Sequence, residues 1–202
     1  IVKDRGSFLI ASKSSYAHLF LKLKKKKKNN AAYFYDLNTK LSYKLNPNNN
    51  LYLASYFGRD VFSLNKSFTN IYGNSTLNLR WNHLFSDKLF SNLSLIYSDY
   101  YYGLDLDFVG FKWDSGIKNY NIKYDFKNYI SDKFKLNYGA NGIYYQFNPG
   151  TIKPSNENSG INFDQLDKKY AFEPALYLNA DHEISDKISV SYGLRYSLFY
   201  RL

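Results

Sequence analysis

Tyr33-Phe34-Tyr35-Asp36-Leu37-Asn38-Thr39-Lys40-Leu41-Ser42-Tyr43-Lys44-Leu45-Asn46 is the stretch on which the fold turns. Tyr33, Tyr35, Leu37, Leu41, Tyr43 and Leu45 fall on one parity, and Asp36, Asn38, Lys40, Ser42, Lys44 and Asn46 on the other. Successive side chains of a β-strand point to opposite faces, so this spacing predicts a long strand with one greasy face and one wet face.

The same alternation recurs outward from this stretch. Leu77, Leu79 and Trp81 alternate with Asn78, Arg80 and Asn82. Tyr120, Ile122, Tyr124 and Phe126 alternate with Asn121, Lys123, Asp125 and Lys127, and Ile188, Val190, Tyr192, Leu194 and Tyr196 with Ser189, Ser191, Gly193 and Arg195. Residues 51–62 carry apolar side chains on both parities. The connections are of two kinds. Asn46-Pro47-Asn48-Asn49 and the near-identical Ser86-Asp87-Lys88, Ser131-Asp132-Lys133 and Ser185-Asp186-Lys187 read as tight turns, because Ser, Asp and Asn bond back to their own backbone. Residues 63–72, 101–113 and 148–168 read as longer, irregular loops.

Nine strands follow, over about 6–13, 31–46, 51–62, 73–85, 89–100, 115–130, 133–147, 169–184 and 188–202. Long strands, an up-and-down rhythm and short turns confined to one rim predict an all-β, antiparallel transmembrane barrel segment. Pro174 lies inside an apolar-alternating strand, where its missing N–H predicts a bulge or an irregular site. The chain opens at Ile1, holds no methionine and ends within a strand, and bacterial single-chain barrels use even strand numbers. The expectation is a partial barrel domain over 1–202, with no plug domain.

Composition narrows the classes. With no cysteine, a disulfide framework and a thiolate metal site are excluded. There are 22 Tyr, 16 Phe and 2 Trp, too many rings for a disordered segment. The formal net charge of +10 raises nucleic acid as a partner, but the lysines are spread through turns and alternating positions, which argues against it. No run of ~18 apolar residues exists, so helical membrane spans are excluded. No catalytic constellation appears, so the chain reads as a non-enzyme without a cofactor. His18, His83 and His182 stand far apart, the last two as rim residues near short turns.

Several words resemble barrel strands of TonB-dependent receptors of the Bacteroidota outer membrane. They are Gly6-Ser7-Phe8-Leu9-Ile10, Ser15-Tyr16-Ala17-His18-Leu19-Phe20-Leu21, Tyr33-Phe34-Tyr35-Asp36-Leu37-Asn38, Tyr56-Phe57-Gly58-Arg59-Asp60, Leu79-Arg80-Trp81-Asn82-His83 and Tyr192-Gly193-Leu194-Arg195-Tyr196-Ser197. The resemblance implies an outer-membrane importer with ~22 strands, a plug inside the lumen, and a TonB box coupled to an inner-membrane motor. The cargo of such receptors is a siderophore, cobalamin or a glycan. Lys13-Ser14-Ser15 stands where the family often has paired arginines. The alternatives are a passive porin or small stand-alone barrel, and a soluble β-sandwich adhesin or glycan-binding module.

Three groups of candidate site residues follow. Arg59, Arg80 and Arg195 sit on wet parities and are candidates to line the lumen, where a guanidinium pairs with carboxylates of plug or cargo. Tyr100, Tyr101 and Tyr102 are candidates for an aromatic girdle. Lys24, Lys25, Lys26, Lys27 and Lys28 form a basic loop cluster that would meet outer-membrane lipid or lipopolysaccharide. Just before it, Tyr16, Leu19, Phe20 and Leu23 have the spacing of a short helix, with Ser14 and Ser15 as caps.

Overall fold

The computed structural model describes residues 5–15, 20, 23 and 29–202. Alternation of greasy and wet side chains stabilises strands only if their backbone groups pair, and here they pair sequentially. β1 (Gly6–Ser14), β2 (Ala31–Asn46), β3 (Asn49–Leu64), β4 (Phe68–Ser86), β5 (Leu89–Leu106), β6 (Phe111–Ser131) and β7 (Phe134–Pro154) follow one another in the sheet. A two-residue piece, β8 (Asp164–Gln165), pairs with the end of β7. Then come β9 (Lys169–Ser185), β10 (Ile188–Ser197) and β11 (Tyr200–Arg201). Every pairing is antiparallel, and the long strands pair in chain order, with β7 meeting β9 past the short β8 and β11 continuing β10 on β9, so this is an up-and-down meander. The described residues hold no second sheet for it to pack on, as a sandwich would require.

The four short turns share one construction. In each, two residues link the strands, and the apolar residue one place before the first strand's last residue is an extra, unpaired one. These are Leu45, Phe85, Ile130 and Ile184. In three of them the flanking side chain caps the turn: Asn46 Oδ1 accepts from the Asn48 N–H at 3.0 Å, Ser86 Oγ from Lys88 at 3.3 Å and Ser185 Oγ from Lys187 at 3.4 Å. Repetition of this bulge keeps every hairpin in the same phase, because a slip of one residue would turn a whole strand over.

The opposite rim departs from expectation. Residues 63–72 are not a loop: Leu64 pairs with Phe68 around Asn65 and Lys66, at φ 51° and 61°, and the Ser67 N–H donates to the Leu64 carbonyl at 2.9 Å. Two consecutive left-handed residues make the turn whose twist matches a hairpin. Residues 101–113 are likewise almost entirely ladder, interrupted by a short 3-10 turn over Asp107–Val109 that Gly110 closes at φ 70°. Among connections that lie wholly within the described residues, only that from Ser155 to Lys168 is long and largely irregular, and Asn156 and Ser155 donate to the Asp107 carboxylate, holding it below its ordinary acidity range. β6 and β7 each reach 21 residues, roughly 70 Å of chain at ~3.3 Å per residue. The alternation fades in these extensions while the backbone pairing continues, which is why they read as loops.

Pro174 behaves as its missing N–H dictates. It stays in register with Gly142 of β7, but on its other side the Leu198 N–H donates to the Pro174 carbonyl at 3.0 Å with no bond returned. The ladder breaks there, and β10 and β11 are the two parts of one strand in a common register on β9. Pro174→Val is expected to restore that bond and add about 1 kcal/mol. Slowed hydrogen exchange at Phe199–Arg201, with a protected amide at position 174 where proline has none, would show it; unchanged exchange at Phe199–Arg201 would refute it.

Candidate functional site

Because the registers are uniform through the body of the sheet, faces can be followed strand by strand. The first face is that of Tyr35, Leu37 and Leu41. Toward the short turns it is mostly apolar, interrupted by Thr39, Ser55 and Ser91, with Leu53, Leu79, Leu95 and Ile122 paired in one transverse line. Large apolar side chains stay open to the surroundings here: Ile122 is 54% exposed and Leu194 83%. The buried apolar residues among those described are only Val61, Ala171, Ala175 and Ala180.

This band ends at a line of rings. Tyr97 and Tyr120 lie 5.2 Å apart between centroids, Tyr120 and Tyr144 6.3 Å, and Tyr144 and Tyr170 6.1 Å. A second ring group lies near the short turns, with His83 edge-on to Phe85 at 4.3 Å and Phe134 edge-on to His182 at 5.2 Å. Counted from the first residue after each turn, eight residues lead to Tyr97 and ten to Tyr144. At ~3.3 Å per residue and a tilt near 40°, that is a band roughly 20–25 Å tall. Beyond the ring line the same face turns charged. Lys118 meets Asp99 at 3.4 Å, Lys112 meets Asp105 at 3.2 Å and Lys153 meets Asp114 at 3.1 Å.

The second face is the reverse. Toward the short turns it is polar, and its best-knit part crosses four strands. Tyr177 of β9 lies over Gly139 of β7 and donates its hydroxyl to Asp125 of β6. Lys123 bonds Asp125 at 3.1 Å, and the Arg195 guanidinium of β10 stands 5.5 Å from the Tyr177 ring centre. Arg80 stacks on Tyr52 at 4.8 Å. Asn78, Asn119, Asn121 and Asn141 hold buried side-chain oxygens without a partner on this face. Farther up, the second face becomes aromatic: Tyr72 and Tyr102 are 5.3 Å apart, Tyr102 and Trp113 5.7 Å, and Tyr145 stacks on Phe147 at 5.6 Å.

The structure therefore divides the candidate residues. Arg80 and Arg195 lie on the polar part of the second face. Arg59 does not join them: it pairs with Tyr35 and Gly73 and shares a face with Leu51, Leu53 and Phe57. Its parity is that of Leu51 and Leu53, and beyond the ring line that face becomes the charged one. Tyr100 and Tyr102 point to the second face and Tyr101 to the first, where its hydroxyl donates to Asp114 at 2.6 Å. The continuous ring line runs instead through Tyr97, Tyr120, Tyr144 and Tyr170. The alternation marks Tyr97 and Tyr120 as apolar-face residues, but only the inter-strand register shows which rings align. Lys24, Lys25, Lys26, Lys27 and Lys28, with Tyr16, His18 and Leu19, lie outside the described residues; Phe20 and Leu23 are helical.

No family model matches the chain and no curated protein matches it. Among solved structures it is similar to BauA, the ferric preacinetobactin receptor from Acinetobacter baumannii. The TM-score is 0.62 at 13% identity, covering 85% of this chain and 34% of that one. The chain thus spans about a third of that receptor's length, and the likeness is one of fold.

Proposed function

We propose that this chain is part of the wall of an outer-membrane TonB-dependent receptor, which takes up a nutrient such as a siderophore, cobalamin or a glycan. The observation that carries the reading is the first face. An apolar band at least eight strands wide and roughly 20–25 Å tall, left open to its surroundings, bounded by rings and then by cross-strand ion pairs, fits a bilayer's hydrocarbon with its interfaces. In water so large an exposed apolar face would be costly at ~25 cal/mol per Å². The second face then lines the lumen, and its orphaned asparagine oxygens and cationic clusters suit a plug. The inversion beyond the ring line has the same cause: with water outside, the rings turn inward, and Tyr72, Tyr102 and Trp113 become a surface for aromatic or sugar-bearing cargo. A passive porin shares the band; the fold likeness to a siderophore receptor and this ring-lined upper interior favour an importer.

The two tryptophans supply the test. Trp81 lies in the band on the first face, and Trp113 lies on the second face beyond it. With the full-length protein in phosphatidylcholine vesicles, acyl chains brominated along their length should quench Trp81 and spare Trp113, read as the difference from Trp81→Phe and Trp113→Phe. Equal quenching of both would reject the membrane reading. Cargo uptake that survives collapse of the proton-motive force would reject TonB coupling.

A further inference from the structure

We propose that a cleft on the first face, just beyond the ring line, binds the phosphorylated headgroup of a lipid whose chains lie along the apolar band. The proposal rests on the membrane reading above and adds to it a site and a ligand chemistry. Two transverse lines form the cleft. Asp99, Lys118 and Gln146 are paired in the first, two residues beyond Tyr97, Tyr120 and Tyr144. Arg59, Gly73, Tyr101, Gly116 and Asn148 are paired in the second, two residues farther on. These lines lie about 7 and 13 Å along the strands from the rings at ~3.3 Å per residue. Corrected for a tilt near 40°, the first line lies about 5 Å beyond the rings, within a headgroup layer of roughly 5–7 Å, and the second about 10 Å beyond them, at that layer's outer edge.

The hollow has a definite cause. Gly73 and Gly116 flank Tyr101 on this face and offer no side chain, leaving a cleft of about 460 Å³. Its charge is unbalanced. Arg59, Lys118 and Lys168 line it against the one carboxylate of Asp99, which Lys118 already engages. Arg59 and Lys168 make no ion pair with the described residues. A phosphate would take both, and the guanidinium fork suits two of its oxygens. Asn148 in the same wall has a buried side-chain oxygen without a partner, which a headgroup hydroxyl can satisfy. An aqueous anion would fit the cations equally well. The position favours a lipid, because the cleft opens directly over the apolar band.

Two variants separate charge from shape. Arg59→Gln with Lys168→Gln removes the unpaired cations. Gly73→Leu fills the hollow at unchanged charge, and its Cβ meets nothing closer than 3.8 Å. The full-length protein is first inserted into neutral phosphatidylcholine vesicles, then extracted in detergent and offered diphosphorylated or dephosphorylated lipid A, with retention counted by native mass spectrometry. The wild type should prefer the diphosphorylated form. The double variant should lose roughly 30-fold in affinity, from about one membrane-surface interaction per removed cation. Gly73→Leu should lose the preference as well. Equal retention of both lipids, or double-variant binding equal to wild type, overturns the site alone. Displacement by millimolar inorganic phosphate overturns the lipid assignment in favour of a free-anion site. Failure to insert into neutral vesicles overturns the membrane reading, and the site with it.

Discussion

Leu178→Arg is expected to cost the folded full-length protein about 2–4 kcal/mol in a bilayer, the penalty for a cation at mid-depth on the lipid face of a barrel. Leu178 sits seven residues from Ser185, where β9 meets its short turn, and eight from Tyr170 in the ring line. It pairs with Tyr138 and Leu194 on the first face and is 50% exposed. An arginine there has room, so packing is not what it damages. The cost arises only if hydrocarbon surrounds it. Urea unfolding from phosphatidylcholine vesicles measures it, with Lys118→Arg beyond the ring line as the control, expected within about 0.5 kcal/mol of wild type. A Leu178→Arg protein as stable in vesicles as its parent would contradict the lipid-facing band.

Gly139→Val should cost about 3 kcal/mol or more, by a mechanism that owes nothing to lipid. A Cβ at Gly139 would run into the backbone carbonyl of Tyr124, and lies 2.6 Å from the Tyr177 hydroxyl oxygen and 2.8 Å from Cζ. Backbone cannot give way cheaply, and overpacking alone costs about 1–3 kcal/mol. Moving the Tyr177 ring also breaks its bond to Asp125, and a hydrogen bond to a charged group is worth about 1.5–3 kcal/mol. Gly73→Ala is the contrast: its Cβ finds only ordinary contacts, 3.8 Å and beyond, so it should be within about 1 kcal/mol of wild type and on the stable side. Denaturant midpoints of the two variants decide the matter. Comparable stabilities would mean that the Tyr177 clasp over Gly139 does not hold these strands together.

Nine long strands, their order and the four tight turns are legible in the chain, because alternation and turn chemistry are local. Tyr33 to Asn46 shows its two faces without reference to any neighbour, and Ser-Asp-Lys between apolar residues closes a hairpin wherever it stands. What lay beyond such reading was the meaning of a face. Arg59 and Arg80 both look like wet-side residues, yet the ladder puts Arg59 with Leu53 and Phe57, and Arg80 with Ser94 and Lys123. Which rings align, where polarity changes sides, and that 63–72 and 101–113 are paired strand all depend on register between segments remote in sequence. The repeated bulges beside the short turns set that register, and a shift of one residue would exchange the two faces. Sequence alone determined that this chain alternates; the tertiary pairing decided which surface each alternation builds.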